Sequence, residues 1–132
     1  MTPPYCLYVE DDENDALLAA YEFQRATPLH MVIQSTGRQA LDFLQTIERP
    51  PVFILVDLGL PLMSGVQLIY ELRHNDFTAR VPLFILTGRE DDEQVLGALG
   101  ADAYLVKPFK VPKLQMKLGM LGLSGLLIGN DP

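Results

Sequence analysis

Short apolar runs and amphipathic stretches of helical length alternate along this chain of 132 residues. Tyr5–Val9, His30–Ile33, Val52–Val56, Leu83–Leu86 and Tyr104–Val106 are too short for buried helices, and several are rich in Val, Ile, Tyr or Phe, which predicts strands. Ala40, Leu41, Leu44 and Ile47 recur at helical spacing, as do Val66, Ile69 and Leu72. Thr36 with Gln39, and Ser64 with Gln67, have the spacing of capping boxes that open those two helices. Further helices are predicted over about 14–26, 92–99 and 112–120. Strand alternating with helix implies an α/β fold, a parallel sheet covered on both faces. Right-handed crossovers leave chiefly doubly wound arrangements.

In such folds ligands sit at the carboxyl ends of the strands. Here the first strand runs into Glu10, Asp11 and Asp12, the third ends at Asp57, the fourth at Thr87 and the fifth at Lys107. Clustered carboxylates repel one another unless a cation lies between them or their pKa values rise. Hard oxygen ligands of this kind suit Mg²⁺, and a lysine and a hydroxyl beside it would complete a cage around a phosphoryl group. Taken singly, each residue has a plainer role. An acidic run before a helix complements the helix dipole, and an aspartate closing an apolar strand is usually a turn residue. Thr87 before Gly88 reads as a strand end, and Lys107 before Pro108 as a solvated lysine at a break. Convergence on one edge is what points to chemistry.

Composition narrows the picture. At 48% hydrophobic and 20% charged residues, the chain has room for one domain with a real core. A net charge of -7 argues against a sequence-independent grip on nucleic acid. The one cysteine, Cys6, excludes an internal disulfide and a Cys-rich zinc site, and its apolar neighbours predict packing rather than reactivity. No basic residue precedes Arg25, as a signal peptide would require, and no apolar run approaches a membrane span. The expectation is a soluble, cytoplasmic domain.

Segment by segment the chain resembles a response-regulator receiver domain of two-component signalling. The matching stretches are Leu7-Tyr8-Val9-Glu10-Asp11-Asp12, the run from Ile54 through Asp57 and Pro61 to Gly65, Leu86-Thr87-Gly88, and Gly100-Ala101-Asp102-Ala103-Tyr104-Leu105-Val106-Lys107-Pro108-Phe109. The resemblance implies a flavodoxin-like five-stranded sheet of order 2-1-3-4-5, and one receiver domain over 1–132 with a core of about 4–120 and a tail over 121–132. It implies that Asp57 is the phosphoacceptor. Asp11, Asp57 and the backbone carbonyl of Gly59 would ligate Mg²⁺, with Glu10 acting mainly through water. Lys107 would pair with Asp57 and then with the phosphoryl oxygens, Thr87 would move to bond one of them, and Tyr104 would turn inward behind it. The Lys107–Pro108 peptide would be cis. Such a domain takes its phosphoryl group from a sensor histidine kinase or a histidine phosphotransfer protein and switches to control a partner. Apart from self-phosphorylation and autodephosphorylation, it is not an enzyme. The acidic stretch Glu10–Asp15, Leu41-Asp42-Phe43-Leu44 and Tyr104–Pro108 resemble the single-domain receivers that partner bacteriophytochrome kinases.

Three features depart from the family pattern. Thr87 to Lys107 spans 20 residues, about two fewer than the family has, and the shortening falls near Ala98-Leu99-Gly100. Gly59 and Arg89 occupy the positions that tune phosphoryl lifetime in the family: Gly59 leaves an approach for water, and Arg89 would shield or clamp the phosphoryl group. The C-terminus, Leu118-Gly119-Met120-Leu121-Gly122-Leu123-Ser124-Gly125 followed by Leu126-Leu127-Ile128-Gly129, carries glycines at near-helical spacing. Either the last helix ends near Leu118 and leaves a frayed apolar tail, or the tail is an exposed patch for self-association. The face formed by the 92–99 helix, the fifth strand and the 112–120 helix is a second candidate for a homodimer. Lys110, Lys113 and Lys117 make a basic face, solvated or meeting an acidic partner, while His30 and His74 lack partners at metal spacing.

Two other functions compete. A Mg²⁺-dependent aspartyl phosphohydrolase would need a second acid two residues beyond Asp57, where Gly59 stands. An unphosphorylated interaction module would not need the acids, Thr87 and Lys107 intact. A nucleotide-binding reading fails because no glycine fingerprint or phosphate-loop lysine follows the first strand. With 25 residues after Lys107, no DNA-binding or catalytic output domain is expected in this chain.

Overall fold

The computed structural model describes residues 2–60, 62–88 and 100–128. Its strands are β1 (Tyr5–Val9), β2 (His30–Gln34), β3 (Ile54–Asp57), β4 (Leu83–Thr87) and β5 (Ala103–Val106). The helices among the described residues are α1 (Glu13–Ala26), α2 (Gly37–Thr46), α3 (Gly65–Arg73) and α4 (Val111–Met120). The sheet is parallel throughout, in the order β2-β1-β3-β4-β5. The doubly wound arrangement follows. The helix expected over 92–99, one of the three elements of the candidate homodimer face, lies outside the described residues, as does Arg89.

Side chains on a strand alternate between faces, and each face has its own core. Cys6 and Tyr8 of β1, Leu55 of β3, and Phe84 and Leu86 of β4 pack with Ala19 and Phe23 of α1 and Val111, Leu114 and Leu118 of α4. Leu7 and Val9, Ile54 and Val56, and Leu83 and Ile85 pack against α2 and α3 through Ala40, Leu44, Leu68, Ile69 and Leu72. Full burial of one such side chain stabilises by about 1.5–3 kcal/mol. Cys6 lies wholly inside the first core, and burial pushes its thiol pKa up, as expected of an inert packed residue.

Local hydrogen bonds explain the helix starts. Thr36 Oγ accepts from the Gln39 N–H at 3.0 Å, and Ser64 Oγ from the Gln67 N–H at 3.2 Å, so both predicted caps form. Around α2 the reciprocal contact is displaced by one residue: Gln39 Oε1 accepts from the backbone N–H of Ser35 at 3.3 Å and its hydroxyl at 2.6 Å. At the far end of α3, Arg73 donates to the carbonyls of Gly100 (2.7 Å), Ala79 (3.2 Å) and Val81 (2.7 Å), and pairs with Asp102 at 3.0 Å. Asp102 also accepts from the Leu83 N–H at 2.8 Å, so one side chain joins α3, the start of β4 and the approach to β5.

As far as Ile128 the C-terminal tail packs back rather than frays. α4 runs to Met120 and stops in a Schellman motif, with Leu123 N–H bonding Leu118 O at 2.7 Å and Gly122 N–H bonding Gly119 O at 3.1 Å. Gly122 takes φ +74°, which glycine adopts without strain. The chain then turns back through a short 3₁₀ helix, Ser124–Ile128, and buries Leu126 and Leu127 in the α1/α4 core. Apolar burial therefore holds a segment that glycine content alone would fray, and the core extends beyond residue 120.

Candidate functional site

The strand pleat decides which groups meet. Glu10 follows β1 with the parity of Cys6 and Tyr8, Asp57 has the parity of Leu55, and Lys107 has that of Leu105. All three therefore come off the sheet towards the α1/α4 side, at the carboxyl edge. Thr87 has the opposite parity, that of Leu83 and Ile85, and its carbonyl accepts from the Lys107 N–H at 2.8 Å.

Lys107 Nζ is the hub. It lies 2.9 Å from Glu10 Oε1, 3.0 Å from Asp15 Oδ2 and 3.3 Å from Asp57 Oδ2. Burial alone would lower the lysine pKa, but hydrogen bonds to Glu10 and Asp15 and the charge of Asp57 push it well above its ordinary value. Glu10 is almost fully buried, at 1% exposure. Its carboxyl also accepts from the Tyr8 hydroxyl at 2.7 Å and lies beside that of Asp57. Burial and the neighbouring Asp57 raise its pKa, and Lys107 and Tyr8 offset only part of that. For Asp57, burial pushes upward, but Glu10, the Gly59 N–H at 3.0 Å and Lys107 together hold its carboxyl below the usual range. The pair is thus arranged with Asp57 as the member that ionises first.

Glu10, Asp11 and Asp57 each offer one carboxylate oxygen, and these atoms lie within 4.8 Å of one another. Three hard oxygen donors beside the Lys107–Glu10 ion pair are a donor set suited to Mg²⁺, with open positions left for water and a phosphate oxygen. The third acid of the run does something else: Asp12 caps α1, its Oδ1 accepting from the Asp15 N–H at 2.9 Å. The acidic stretch therefore divides between helix capping and the cluster.

The loop after β3 is shaped by close approach. A Cβ on Gly65 would lie 2.7 Å from Asp57 O and 2.8 Å from Leu58 Cα, so only glycine lets α3 start against the backbone at the end of β3. Gly59 is exposed, and a Cβ there would meet Asp57 Oδ1 at an ordinary 3.7 Å. Leu62, in the same loop, has φ +62° and is 97% exposed. Tyr104 is half-buried against the α2/α3 core, with Lys117 Nζ 5.1 Å from its ring centre. The Lys107–Pro108 peptide is cis. On the basic face of α4, Lys110 pairs with Glu22 at 3.4 Å. His74 stacks on Tyr70 at 3.9 Å, and His30 is exposed at the start of β2.

Asp15 and Tyr8 are the two contributors that sequence reasoning did not assign. Tyr8 had a signal, standing one pleat before Glu10, whereas the place of Asp15 depends on how α1 is rotated about its axis.

The family model described as response regulator receiver domain matches residues 6–119. The phosphate regulon transcriptional regulatory protein PhoB of Rhizobium meliloti (strain 1021) is 38% identical over 117 residues, covering 87% of this chain and 50% of PhoB. The chain thus spans about half the length of that relative. Among solved structures, the bacteriophytochrome response regulator RtBRR matches with a TM-score of 0.83 at 27% identity, over 99% of this chain and 85% of that one. The receiver domain of sensor histidine kinase PA1611 from Pseudomonas aeruginosa PAO1, described with a magnesium ion coordinated in its active-site cleft, matches with a TM-score of 0.75 at 26% identity. That match covers 92% of this chain and 99% of the other.

Proposed function

The chain belongs to the response-regulator receiver family, and from that membership we propose that it is a phosphorylation switch whose acceptor is Asp57. The observation that carries the proposal is the meeting of Asp57, Glu10 and Lys107 at the ends of three strands, with Asp11 beside them.

An Asp57 carboxylate oxygen attacks the phosphorus of a phosphohistidine or a small acyl phosphate. One O–P bond forms, and the bond to the donor breaks with its electron pair leaving on the donor. A carboxyl held below its usual range is ionised at neutral pH and ready to attack. Lys107 follows the charge from the carboxylate to the phosphoryl oxygens, and its position at the end of β5 lets it do so with little reorganisation. Glu10, Asp11 and Asp57, with the Gly59 carbonyl, would hold Mg²⁺, which when bound offsets the charge of the acids and the phosphoryl group. Thr87, one strand away, then moves to hydrogen-bond a phosphoryl oxygen, and Tyr104 follows inward. That shift is a two-state bias from a local charge change to a distant face. Gly59, lacking a side chain, leaves water a path to phosphorus for autodephosphorylation. Arg89, two residues beyond Thr87, would shield or clamp the phosphoryl group, and with Gly59 it would set an intermediate-to-short lifetime.

The donor partner is a sensor histidine kinase or a histidine phosphotransfer protein. Likeness to RtBRR at 27% identity favours a bacteriophytochrome kinase. The protein works in the cytoplasm, and no helix among the described residues is long and apolar enough to cross a membrane. Intact mass after incubation with acetyl phosphate tests the proposal. One phosphoryl group that requires Mg²⁺ and is absent in Asp57→Asn is the expected result. No adduct, together with no binding of beryllofluoride, would leave the chain an unphosphorylated interaction module.

A further inference from the structure

Lys107 has three N–H donors and meets three carboxylates, those of Glu10, Asp15 and Asp57, at 2.9, 3.0 and 3.3 Å. The contact with the proposed acceptor is the longest of the three. Glu10 is buried at the base of the site and, like Asp57, comes off the sheet edge. Asp15 stands on a different element, the first turn of α1.

That turn is fixed. Asp12 Oδ1 caps it by accepting the Asp15 N–H, Ala16 N–H bonds Asp12 O at 2.9 Å, and Ala19 and Phe23 anchor the helix in the core. The capping bond uses the Asp15 backbone only, so its carboxylate is left to Lys107. Asp15 is not one of the three residues whose oxygens cluster as donors for a cation. Its side chain is 41% exposed, and among the described residues Lys107 is the side chain that its carboxylate pairs with. When a phosphoryl group arrives on Asp57, the lysine must divide itself between new oxygens on one side and Asp15 on the other.

We propose that Asp15 is a positioning residue that competes with the phosphoryl group for Lys107, and so sets how readily the site accepts and retains phosphate. The inference rests on the phosphoacceptor function of Asp57. Asp15 acts through the lysine, with no contact to the reacting atoms. A half-exposed ion pair of this kind is worth a factor of about three in an equilibrium.

Beryllofluoride affinity in the presence of Mg²⁺, read by fluorine NMR on the full chain, is the test. Asp15→Asn is expected to tighten binding about threefold and to speed phosphorylation by acetyl phosphate by a similar factor. Asp15→Glu, which keeps a carboxylate in reach of the lysine, should stay near the wild type. Removing a negative charge favours any anion, so Glu13→Gln, in the same turn and exposed, serves as the control and should change affinity by less than Asp15→Asn. In a Lys107→Met background the Asp15→Asn effect should vanish. Equal affinities for wild type and Asp15→Asn, or an undiminished effect in the Lys107→Met background, overturn the inference and leave the phosphoacceptor reading standing. A wild-type chain that neither binds beryllofluoride nor takes phosphate removes both.

Discussion

Replacing Gly65 with alanine and Gly119 with alanine is the same chemical change made at two helix positions, and the structure assigns them opposite signs. At Gly65 the new Cβ would stand 2.7 Å from Asp57 O, 2.8 Å from Leu58 Cα and 3.1 Å from Leu58 O, all backbone atoms. Relaxing the shortest contact to 3.4 Å moves the start of α3 by about 0.7 Å against a strand end that is paired with β4. Overpacking of that size costs about 1–3 kcal/mol, offset by roughly 0.4–1 kcal/mol from the reduced freedom of the unfolded chain. The net expectation is a loss of about 1–2 kcal/mol. At Gly119 a Cβ meets nothing within 4 Å, the site is exposed, and only the helix preference acts. There the expectation is a gain of about 0.5 kcal/mol, short of the full interior value because the position is next to last in α4. Urea unfolding followed by circular dichroism should move the two midpoints in opposite directions with unchanged slopes. A Gly65→Ala midpoint at or above the wild type would refute the steric argument, and with it the account of how α3 is held against the acceptor strand.

Arg73→Ala should cost about 3 kcal/mol, because it removes charge-assisted bonds to the Gly100 and Val81 carbonyls together with the pair to Asp102; a urea midpoint within error of wild type would contradict this. Mg²⁺ at ten times its Kd should add about 1.4 kcal/mol to stability, a rise of roughly 5 °C in Tm that Asp57→Asn diminishes, and an unmoved Tm at saturating Mg²⁺ would argue against the donor set. Alkaline stability follows from Tyr5, which burial pushes up to about 12 against the opposing charge of Arg49. The unfolded chain releases that proton near 10 while the folded chain keeps it, so U binds fewer protons and stability falls as pH rises from about 10 towards 12. Tyr5→Phe should flatten that slope, measured by unfolding at fixed pH values.

Much of this was legible in the sequence for a physical reason. Strands buried on both faces leave short continuous apolar runs, so the run Tyr5–Val9 coincides with β1 at both ends. The run that marks β3 begins two residues before the strand, because Val52 and Phe53 are as apolar and as buried as the strand, and Val52 N–H already bonds Tyr5 O. The gathering of Glu10, Asp57 and Lys107 followed from strand ends alone, since a parallel sheet brings them to one edge. Asp15 was not legible, because its role depends on the rotation of α1 about its axis, which the cap at Asp12 and the burial of Phe23 set. Nor was the course of the chain up to Ile128: glycine spacing left a frayed tail and a self-association patch both open, whereas the left-handed Gly122 closes a Schellman turn and returns Leu126 and Leu127 to the core. Local propensity was visible there, and the tertiary burial that overrides it was not.

The central claim is that Asp57 carries the phosphoryl group as an acyl phosphate. Reduction of the phosphorylated protein with borohydride, followed by peptide mapping, tests it most directly, because hydride converts an acyl phosphate to an alcohol. The account predicts homoserine at position 57, dependent on the phosphodonor and on Mg²⁺. Homoserine at another acid, or a phosphoryl group that survives reduction on a hydroxyl or a histidine, would contradict it.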